Sequence, residues 1–509
     1  MRLSRRALVL LAALVVVSAG AAVAAAQDPF GFGGWKTNKP AQLVAVKSGV
    51  VVEPLITVGE RLRRQGGYVF ESIPDGIAFK VTGDRTVDVY VNHETSTVPF
   101  PFDPATGVGF NDFTNAMVSK LTLHRRSGSV LEGEYVIPSE ANYQRFCSSF
   151  LAGAEHGFDR EILFTNEEAT DFVNRTGEAW PARAGAEQAG VVVAYDIASG
   201  EYKTIYGMGR HNHENSVAIP GYGHPVVLSG DDTFSAPASQ MYLYSATSRA
   251  QLWADQGTLY GFRSSNPAVN DYGDLSGAAS VAGTFIPVPE AVAKGDQTAL
   301  ENWSNTNNIF QFIRIEDIAY DRTTPNVVYF ADTGEPRALP NPATGRLQRG
   351  PASARGPYPN GRLFKMVLDP ANPLNVLSLS ILIDADAGGY NNVNVIHQPD
   401  NVETTANSLL IQEDPGGHNQ GQTTARIWRY DLSDKTLEVV ARVDQSQRPE
   451  SPLGAWESSG IIDASEAFGE DWFLVDVQAG TLIVEEERRG NLTYQREGGQ
   501  LLLVKIPGA

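Results

Sequence analysis

The chain has 509 residues and a formal net charge of −19, from 59 acidic and 40 basic residues. This balance argues against nucleic acid as a partner, because neutralising phosphates requires clustered lysine and arginine, and it suits a protein that binds cations. The single cysteine, Cys147, excludes an intramolecular disulfide, and the length allows a large core in one domain or two.

The N-terminal segment 1–26 has the organisation of a signal peptide: a basic start, an apolar run and the small-residue exit Ala24-Ala25-Ala26. The sequence Ser4-Arg5-Arg6 near its start is typical of twin-arginine signals, which direct folded proteins to export. A permanent membrane anchor is the alternative for so apolar a run. We predict that the signal is removed and that residues 27–509 form one domain without stable membrane insertion, in the periplasm or outside the cell.

Beyond the signal, the sequence is typical of an all-β protein, with short runs of Val, Ile, Leu, Phe and Tyr between clusters of Gly, Pro, Asn and Asp. Six of these runs meet acidic or amide residues at or near their ends. They are VDVYVNHET (87–95), REILFTNEE (160–168), HPVVLSGDD (224–232), NVVYFADTG (326–334), NSLLIQEDP (407–415) and DWFLVDVQA (471–479). Their recurrence at blade-like intervals predicts a six-bladed β-propeller with loop insertions on one face, and two stacked β-sandwich domains are the alternative.

The acids at these strand ends indicate a function. Strand ends converge around a propeller axis, so the carboxylates would share one cavity. Crowded carboxylates repel and raise each other's pKa unless cations neutralise them. Calcium takes about six to eight oxygen ligands in flexible geometry and suits such a cavity. The sequence therefore predicts an acidic pocket for several metal ions.

Four motifs follow one another along the chain: Val-Asn-His-Glu (91–94), Cys147 with Thr-Asn-Glu-Glu (165–168), Gly-Arg-His-Asn-His-Glu (209–214) and Arg-Ile-Glu-Asp (314–317). In this order they resemble the PhoX family of exported, calcium-dependent alkaline phosphatases, and the resemblance runs from residue 87 to residue 478. It implies a propeller of six blades whose axial site holds calcium and iron and hydrolyses a small phosphate monoester. We expect such a protein to be a monomer.

The resemblance also implies roles for single residues. Cys147 would bind iron, because a thiolate favours iron over calcium. Arg314 takes the position of the arginine that opens the family's Arg-Pro-Glu-Asp motif, so it would hold the substrate phosphate, and Asn401 is a second candidate for substrate binding. The candidate metal ligands besides the cysteine are Glu167, Glu168, Glu214, Glu316, Glu413 and Asp414.

Two departures from the family pattern leave other functions open. Residue 315 is Ile where the family has Pro, and Cys147 leads into Ser-Ser-Phe-Leu-Ala-Gly rather than a Gly-rich stretch with Trp. One alternative is a calcium-dependent lactonase or phosphotriesterase, whose apolar entrance Trp253, Tyr260 and Trp303 would supply. The other alternative is a binding propeller without catalysis, in which calcium gives rigidity.

Overall fold

The computed structural model describes residues 34–62, 67–97, 110–173, 187–233, 239–416, 423–490 and 492–509. The predicted signal segment 1–26 lies outside these residues. Strands dominate the described chain, and its helices are short. None of the helices in these ranges is long and apolar enough to span a membrane.

The strands, numbered in chain order, are β1 (Leu43–Ala45), β2 (Val51–Thr57), β3 (Arg61–Leu62), β4 (Tyr68–Val69), β5 (Pro74–Val81), β6 (Thr86–His93), β7 (Phe110–Asp112), β8 (Met117–His124), β9 (Val130–Ile137), β10 (Phe146–Ala152), β11 (Ile162–Glu167), β12 (Phe172–Val173), β13 (Glu187–Gln188), β14 (Val192–Asp196), β15 (Glu201–Ile205), β16 (His213–Ala218), β17 (Val226–Asp231), β18 (Met241–Ser245), β19 (Thr258–Ser264), β20 (Ser280–Pro287), β21 (Ile315–Tyr320), β22 (Val327–Asp332), β23 (Ala338–Pro340), β24 (Leu347–Arg349), β25 (Arg362–Asp369), β26 (Asn372–Asp384), β27 (Pro399–Thr404), β28 (Ser408–Glu413), β29 (Arg426–Asp431), β30 (Leu437–Val443), β31 (Glu457–Asp463), β32 (Trp472–Arg489) and β33 (Leu492–Lys505). The α-helices are α1 (Arg249–Trp253), α2 (Glu290–Ala293), α3 (Gln297–Thr306) and α4 (Ser465–Phe468).

Antiparallel sheets follow one another along the chain. The first contains β5, β6, β8 and β9, and the second contains β10, β11, β14 and β15. The third begins with β16 and the fourth with β21, and pairing of β20 with β26 joins these two into one nine-stranded sheet. The fifth sheet runs from β27 to β30 and the sixth from β31 to β33. The N-terminal strands complete the last two sheets, because β1 pairs with β30 and β2 pairs with β33.

Six strands of the described chain, one from each of these sheets, surround a central axis, and we call them the axial strands: β5, β10, β16, β21, β27 and β31. They contact one another in that order, and β31 contacts β5, so the ring is closed. Antiparallel sheets arranged radially in this way form a β-propeller, whereas two stacked sandwiches contain no such ring. The prediction of an all-β propeller is therefore confirmed.

Each axial strand leaves regular pairing near its start. In β10 the register shifts after Phe146, which pairs with Glu167, and it resumes at Ser149 opposite Thr165. The other axial strands shift between Pro74 and Ile77, His213 and Ser216, Ile315 and Ile318, Pro399 and Val402, and Ser459 and Ile461. A β-bulge bends the strand and re-aims its side chains. The axial strands therefore share one local distortion at the same end of the ring.

Apolar packing holds the sheets in place around this axis. Phe330 and Phe364 stack with ring centroids 5.2 Å apart, and Phe312 meets both rings edge-on at 5.4 Å. Aromatic pairs in these arrangements add attraction beyond the burial of their surface. Trp456, directly before β31, is fully buried, and its Nε1 donates a hydrogen bond to Thr481 Oγ1 at 2.8 Å.

The bulge in β31 requires a glycine. Gly460 has φ of +55°, and a Cβ added to it would lie 2.4 Å from the carbonyl oxygen of Asp75 on the neighbouring axial strand. A positive φ disfavours any residue with a Cβ, and a contact this short with backbone atoms cannot relax by rotating a side chain. The close approach of β31 to β5 therefore depends on this residue.

We expect Gly460→Ala to lower the free energy of unfolding by about 3 kcal/mol, because backbone strain and overpacking act together. Urea-induced unfolding followed by tryptophan fluorescence measures the change. Gly200→Ala is the matched control, since Gly200 has φ of +73° and nothing within 4 Å of an added Cβ. This control should cost only about 1 kcal/mol. Equal losses in the two variants would contradict the role of close packing at Gly460.

Candidate metal centre

A cavity of about 350 Å³ lies at the end of the ring where the axial strands begin. Its walls are mainly acidic. The lining residues are Ile73, Asp75, Glu94, Ser96, Asp112, Arg145, Cys147, Glu168, Glu214, Arg314, Glu316, Asp400, Asp414, Glu457, Gln478 and Glu497. A larger cavity of about 830 Å³ lies towards the other end of the axial strands, but none of the residue groups described below lines it. We call the smaller one the axial cavity.

Each axial strand contributes one carboxyl or thiol group to the axial cavity. In five strands this residue is the first inside the bulge, and in β31 it is the first residue of the strand. The six residues are Asp75, Cys147, Glu214, Glu316, Asp400 and Glu457. In five of the six axial strands, the bulge is thus what directs this side chain to the cavity.

Three further carboxyl groups come from the strands next to the axial ones. On the neighbouring strand, one residue pairs with the axial-strand residue that precedes the bulge. Glu94, Glu168 and Asp414 each come directly after that paired residue. The backbone N–H of each donates a hydrogen bond to a carbonyl two residues before the axial ligand of the same sheet. These bonds join Glu94 to Ile73 at 2.9 Å, Glu168 to Arg145 at 3.0 Å and Asp414 to Gln398 at 3.0 Å.

The adjacent acids Glu167 and Glu168 have different roles. Glu168 lines the axial cavity, whereas the carboxylate of Glu167 accepts backbone N–H groups of Gln144 at 2.8 Å, Gly190 at 3.0 Å and Val191 at 3.2 Å. A buried carboxylate with these partners holds the polypeptide in place and has no need of a cation. The structure thus corrects the expectation for Glu167, which it does not bring into the axial cavity.

The same correction applies to Glu413, next to Asp414. Its carboxylate is fully buried, and it accepts hydrogen bonds from His397 N at 2.7 Å, Arg426 N at 3.0 Å and Trp428 Nε1 at 2.9 Å. It also forms an ion pair with the guanidinium of Arg426 at 2.7 Å. Glu413 therefore stabilises the fifth sheet, and Asp414 is the acid of this pair that lines the axial cavity.

Residues of the axial cavity form four groups of three. Within each group, the potential ligand atoms lie within 4.8 Å of one another. Neighbouring groups share a member, so they follow one another across the cavity. Cys147 belongs to the first and second groups, Glu214 to the second and third, and Asp400 to the third and fourth. The groups are Asp75–Glu94–Cys147, Cys147–Glu168–Glu214, Glu214–Glu316–Asp400 and Asp400–Asp414–Glu457.

Burial and mutual repulsion oppose ionisation in these groups. Burial raises the pKa of Glu94 to about 8, and the charge of Asp75 adds to this effect. Burial also raises the pKa of Glu214 and the pKa of Glu316 well above the ordinary value, with nearby carboxylates as a further cause. The pKa of the Cys147 thiol is raised for the same two reasons. Bound cations would remove this cost by stabilising the charged forms.

Arg314 lies at the wall of the axial cavity. Its Nε and Nη2 donate to the two carboxylate oxygens of Asp232 at 2.7 and 2.6 Å, and Nη2 lies 3.3 Å from Glu316 Oε1. The neighbouring Ile315 is fully buried, and its N–H donates to Ser239 Oγ at 3.2 Å, a bond that a proline could not make. The change from Pro to Ile at position 315 therefore leaves Arg314 at the cavity.

Asn401 does not line the axial cavity. It is the second residue of the bulge in β27, is 1% exposed, and its Nδ2 donates to Ser148 Oγ at 3.2 Å. Ser148 is the corresponding bulge residue of β10. The expected substrate contact of Asn401 is therefore not supported by its position, and its neighbour Asp400 lines the cavity instead.

Four acids of the four groups were missed by the motif analysis as metal ligands, namely Asp75, Glu94, Asp400 and Glu457. A sequence signal for two of them exists. Ile-Pro-Asp-Gly (73–76) and Gln-Pro-Asp-Asn (398–401) share the dipeptide Pro-Asp followed by a small residue, and in both the acid is the first residue of the bulge. Arg145 was also missed, although it lies two residues before Cys147, as Arg314 lies two residues before Glu316.

Comparison with known proteins gives a match in fold only. No family model matches the chain, and neither does any curated protein sequence. Among solved structures, PhoX of Pseudomonas fluorescens in complex with vanadate, a transition-state analogue, is similar with a TM-score of 0.59 and 14% sequence identity. The alignment covers 93% of this chain and 98% of PhoX.

Two further solved structures are more distant. Trypanosoma rangeli sialidase has a TM-score of 0.35 and 8% identity, over 91% of this chain and 60% of the sialidase. The β-propeller domain of the trilobed protease from Pyrococcus furiosus has a TM-score of 0.30 and 5% identity, over 80% of this chain and 91% of that domain. These values are too low to support an argument. The chain thus shares the β-propeller fold of PhoX across nearly its full length.

Proposed function

We propose that the protein is an exported metal-dependent phosphatase that hydrolyses small phosphate monoesters in the axial cavity. The observation that carries this proposal is the series of four overlapping ligand groups with the Arg314 guanidinium beside them. Anionic side chains alone would repel a phosphate ester, so the arrangement makes sense for phosphate only when cations are bound. The fold shared with a PhoX captured with vanadate adds support.

The donor atoms fit calcium and iron. Eight carboxyl groups in the four groups offer the hard oxygen ligands that calcium prefers, and the Cys147 thiolate suits iron. When bound, these ions would polarise the phosphoryl group and lower the pKa of an oxygen nucleophile. We assign Glu168, Glu214, Glu316 and Asp414 as metal ligands, together with Asp75, Glu94, Asp400 and Glu457.

Arg314 is the residue we assign to the substrate phosphate. A guanidinium binds phosphate oxygens through parallel hydrogen bonds and keeps its charge in any environment. Asp232 holds Arg314 through two hydrogen bonds, which fixes the plane of the guanidinium at the cavity wall. Orientation of this kind lowers the entropy that is lost when the substrate is positioned.

The lactonase or phosphotriesterase alternative has less support. It requires an apolar entrance, but the aromatic residues considered for that role pack elsewhere: Trp253 and Trp303 lie against the core that contains Leu252 and Leu300, and Tyr260 lies against the core that contains Phe262. None of the three lines the axial cavity. A mainly acidic wall with two arginines suits an anionic substrate bound through cations.

We expect Glu316→Gln to lower the calcium content of the purified protein and to reduce kcat by about 100-fold, because Glu316 serves one of the four groups and contacts Arg314. Hydrolysis of p-nitrophenyl phosphate at alkaline pH and elemental analysis measure the two effects. Chelator should abolish activity in the unchanged protein, and calcium should restore it. Glu132→Gln is the control, since Glu132 is exposed and does not line the cavity. Unchanged calcium content and full activity in Glu316→Gln would remove this residue from the site.

We also expect the chelated protein to lose stability as pH rises. Burial raises the pKa of Asp112 to about 7 and the pKa of Glu497 to about 8, and Glu94 behaves likewise. Between about pH 4 and pH 8 the folded chain therefore binds more protons than the unfolded chain, and the stability falls with increasing pH. Calcium should reverse this trend, since it stabilises the ionised cluster.

Thermal unfolding at pH 5 and pH 8, in chelator and in calcium, measures this dependence. A Tm in chelator that stays constant or rises between these two pH values would contradict the electrostatic account of the cavity. Glu132→Gln serves here too, because loss of an exposed carboxyl group should leave the pH dependence of Tm unchanged.

A further inference from the structure

Two carboxyl groups of the axial cavity belong to none of the four ligand groups. They are Asp112 in β7 and Glu497 in β33. Both strands lie outside the ring of axial strands, in the long antiparallel arm that β32 and β33 form beyond the sixth sheet, where β7 pairs in parallel with β33. This arm thus provides one side wall of the axial cavity.

Asp112 is built into this wall. It is 8% exposed, and its Oδ2 accepts the backbone N–H of Ser96 at 2.7 Å. The backbone N–H of Asp112 in turn donates to the carbonyl of Ser96 at 3.0 Å. The other carboxylate oxygen, Oδ1, is buried and has no hydrogen-bond partner within the described residues. A buried, unpartnered carboxylate oxygen at a cavity wall leaves a position for a donor from a bound molecule.

The charges around Asp112 determine what this donor can be. Glu71 raises the pKa of Asp112 by repulsion and Asp112 raises that of Glu497, whereas Arg145 opposes the rise at Asp112. Arg145 is engaged by Asp171 through an ion pair, and Arg496 is engaged by Glu71 through two hydrogen bonds at 2.7 and 3.1 Å. These two cations are thus held by other carboxylates, and a cation bound beside Asp112 and Glu497 would stabilise their charged forms, which favours a cationic donor over a neutral one.

A metal ion is a poor occupant for this wall. Within the described chain, no group of three potential ligand atoms within 4.8 Å includes Asp112 or Glu497. Two carboxylates can instead accept the several N–H donors of an ammonium group. The axial cavity, at about 350 Å³, is near the lower limit for small-molecule sites, so the phosphate and the ammonium group would belong to one small molecule.

We propose that Asp112 and Glu497 select substrates whose alcohol carries a protonated amine, so that the preferred substrate class is phosphate monoesters of small amino alcohols. This inference rests on the proposed function for the phosphate end of the molecule. The cations and Arg314 hold the phosphate, and the wall formed by the arm holds the ammonium group. Asp112 and Glu497 act here in specificity, and neither takes part in the hydrolysis.

Titration calorimetry with compounds that cannot be hydrolysed tests this directly. 2-Aminoethylphosphonate, 2-hydroxyethylphosphonate and propylphosphonate have nearly equal size and differ in the group at one end. This group is a charged ammonium in the first, a neutral hydroxyl in the second and an apolar methyl in the third. The full-length, calcium-loaded protein should bind the amine at least about 10-fold more tightly than the other two, as expected for hydrogen bonds to charged groups. Asp112→Asn and Glu497→Gln should each remove most of this preference and leave the affinity for propylphosphonate unchanged.

Glu486→Gln is the matched control, because Glu486 lies on the same arm but is exposed and does not line the cavity. It should keep the preference for the amine. Thermal unfolding of each variant establishes that it is folded, and the two substitutions in the wall provide independent tests if one of them fails to fold. Equal affinity for the three phosphonates, equal affinity for the amine and the alcohol, or no binding of the amine would overturn the inference.

Hydrolysis of p-nitrophenyl phosphate by the same preparation separates this inference from the proposed function. Turnover without preference for the amine would refute the role of the wall and keep the phosphatase. Preference for the amine without turnover of p-nitrophenyl phosphate or of aminoethyl phosphate would refute the phosphatase and keep the ammonium site.

Discussion

Repulsion between buried carboxyl groups on the propeller axis is the constraint on which the rest of the site depends. Each of the four ligand groups takes its members from at least two sheets, as when Cys147 of β10 joins Asp75 of β5. Without cations, burial and repulsion oppose the charged forms of Glu94, Cys147, Glu214 and Glu316. With cations bound, the same side chains would tie neighbouring sheets together. Under the proposed function, chemistry at the axis and cohesion of the ring would therefore depend on the same contacts.

The two adjacent acids at a strand end have different roles in the structure. In the pairs Glu167–Glu168 and Glu413–Asp414, the first acid accepts backbone N–H groups and the second lines the axial cavity. The first acid lies opposite the residue that precedes the bulge, so its direction is fixed by the ladder. The carboxylate of the first acid thus fixes the backbone, and this backbone directs the second acid towards the axial cavity. A substitution in either position would affect the site, but by different physical routes.

The sequence was sufficient for the fold and for part of the site. Alternating apolar runs with acidic ends predicted the propeller, and Glu168, Glu214, Glu316 and Asp414 do line the axial cavity. Glu167 and Glu413 could not be separated from their neighbours, because the direction of each side chain depends on bulge register, which is a tertiary property. Asp75 and Asp400 were not assigned as metal ligands because they precede the apolar runs and stand in short Pro-Asp motifs typical of turns. The acids of the arm were unpredictable, since they reach the cavity only through pairing of β7 with β33.

The two N-terminal strands have a consequence for the order of folding. β1 and β2 are neighbours in the sequence, yet they complete the fifth and sixth sheets, and Gln42 donates a hydrogen bond to Gln500, 458 residues later. Contacts at such separation form late, because a very long loop must close before they contribute. During synthesis from the N-terminus, the partner of β1 emerges only with the fifth sheet and the partner of β2 only with the sixth. The ring of axial strands closes only through contact of β31 with β5, so the axial cavity is complete only when the last sheet to be synthesised has joined the first.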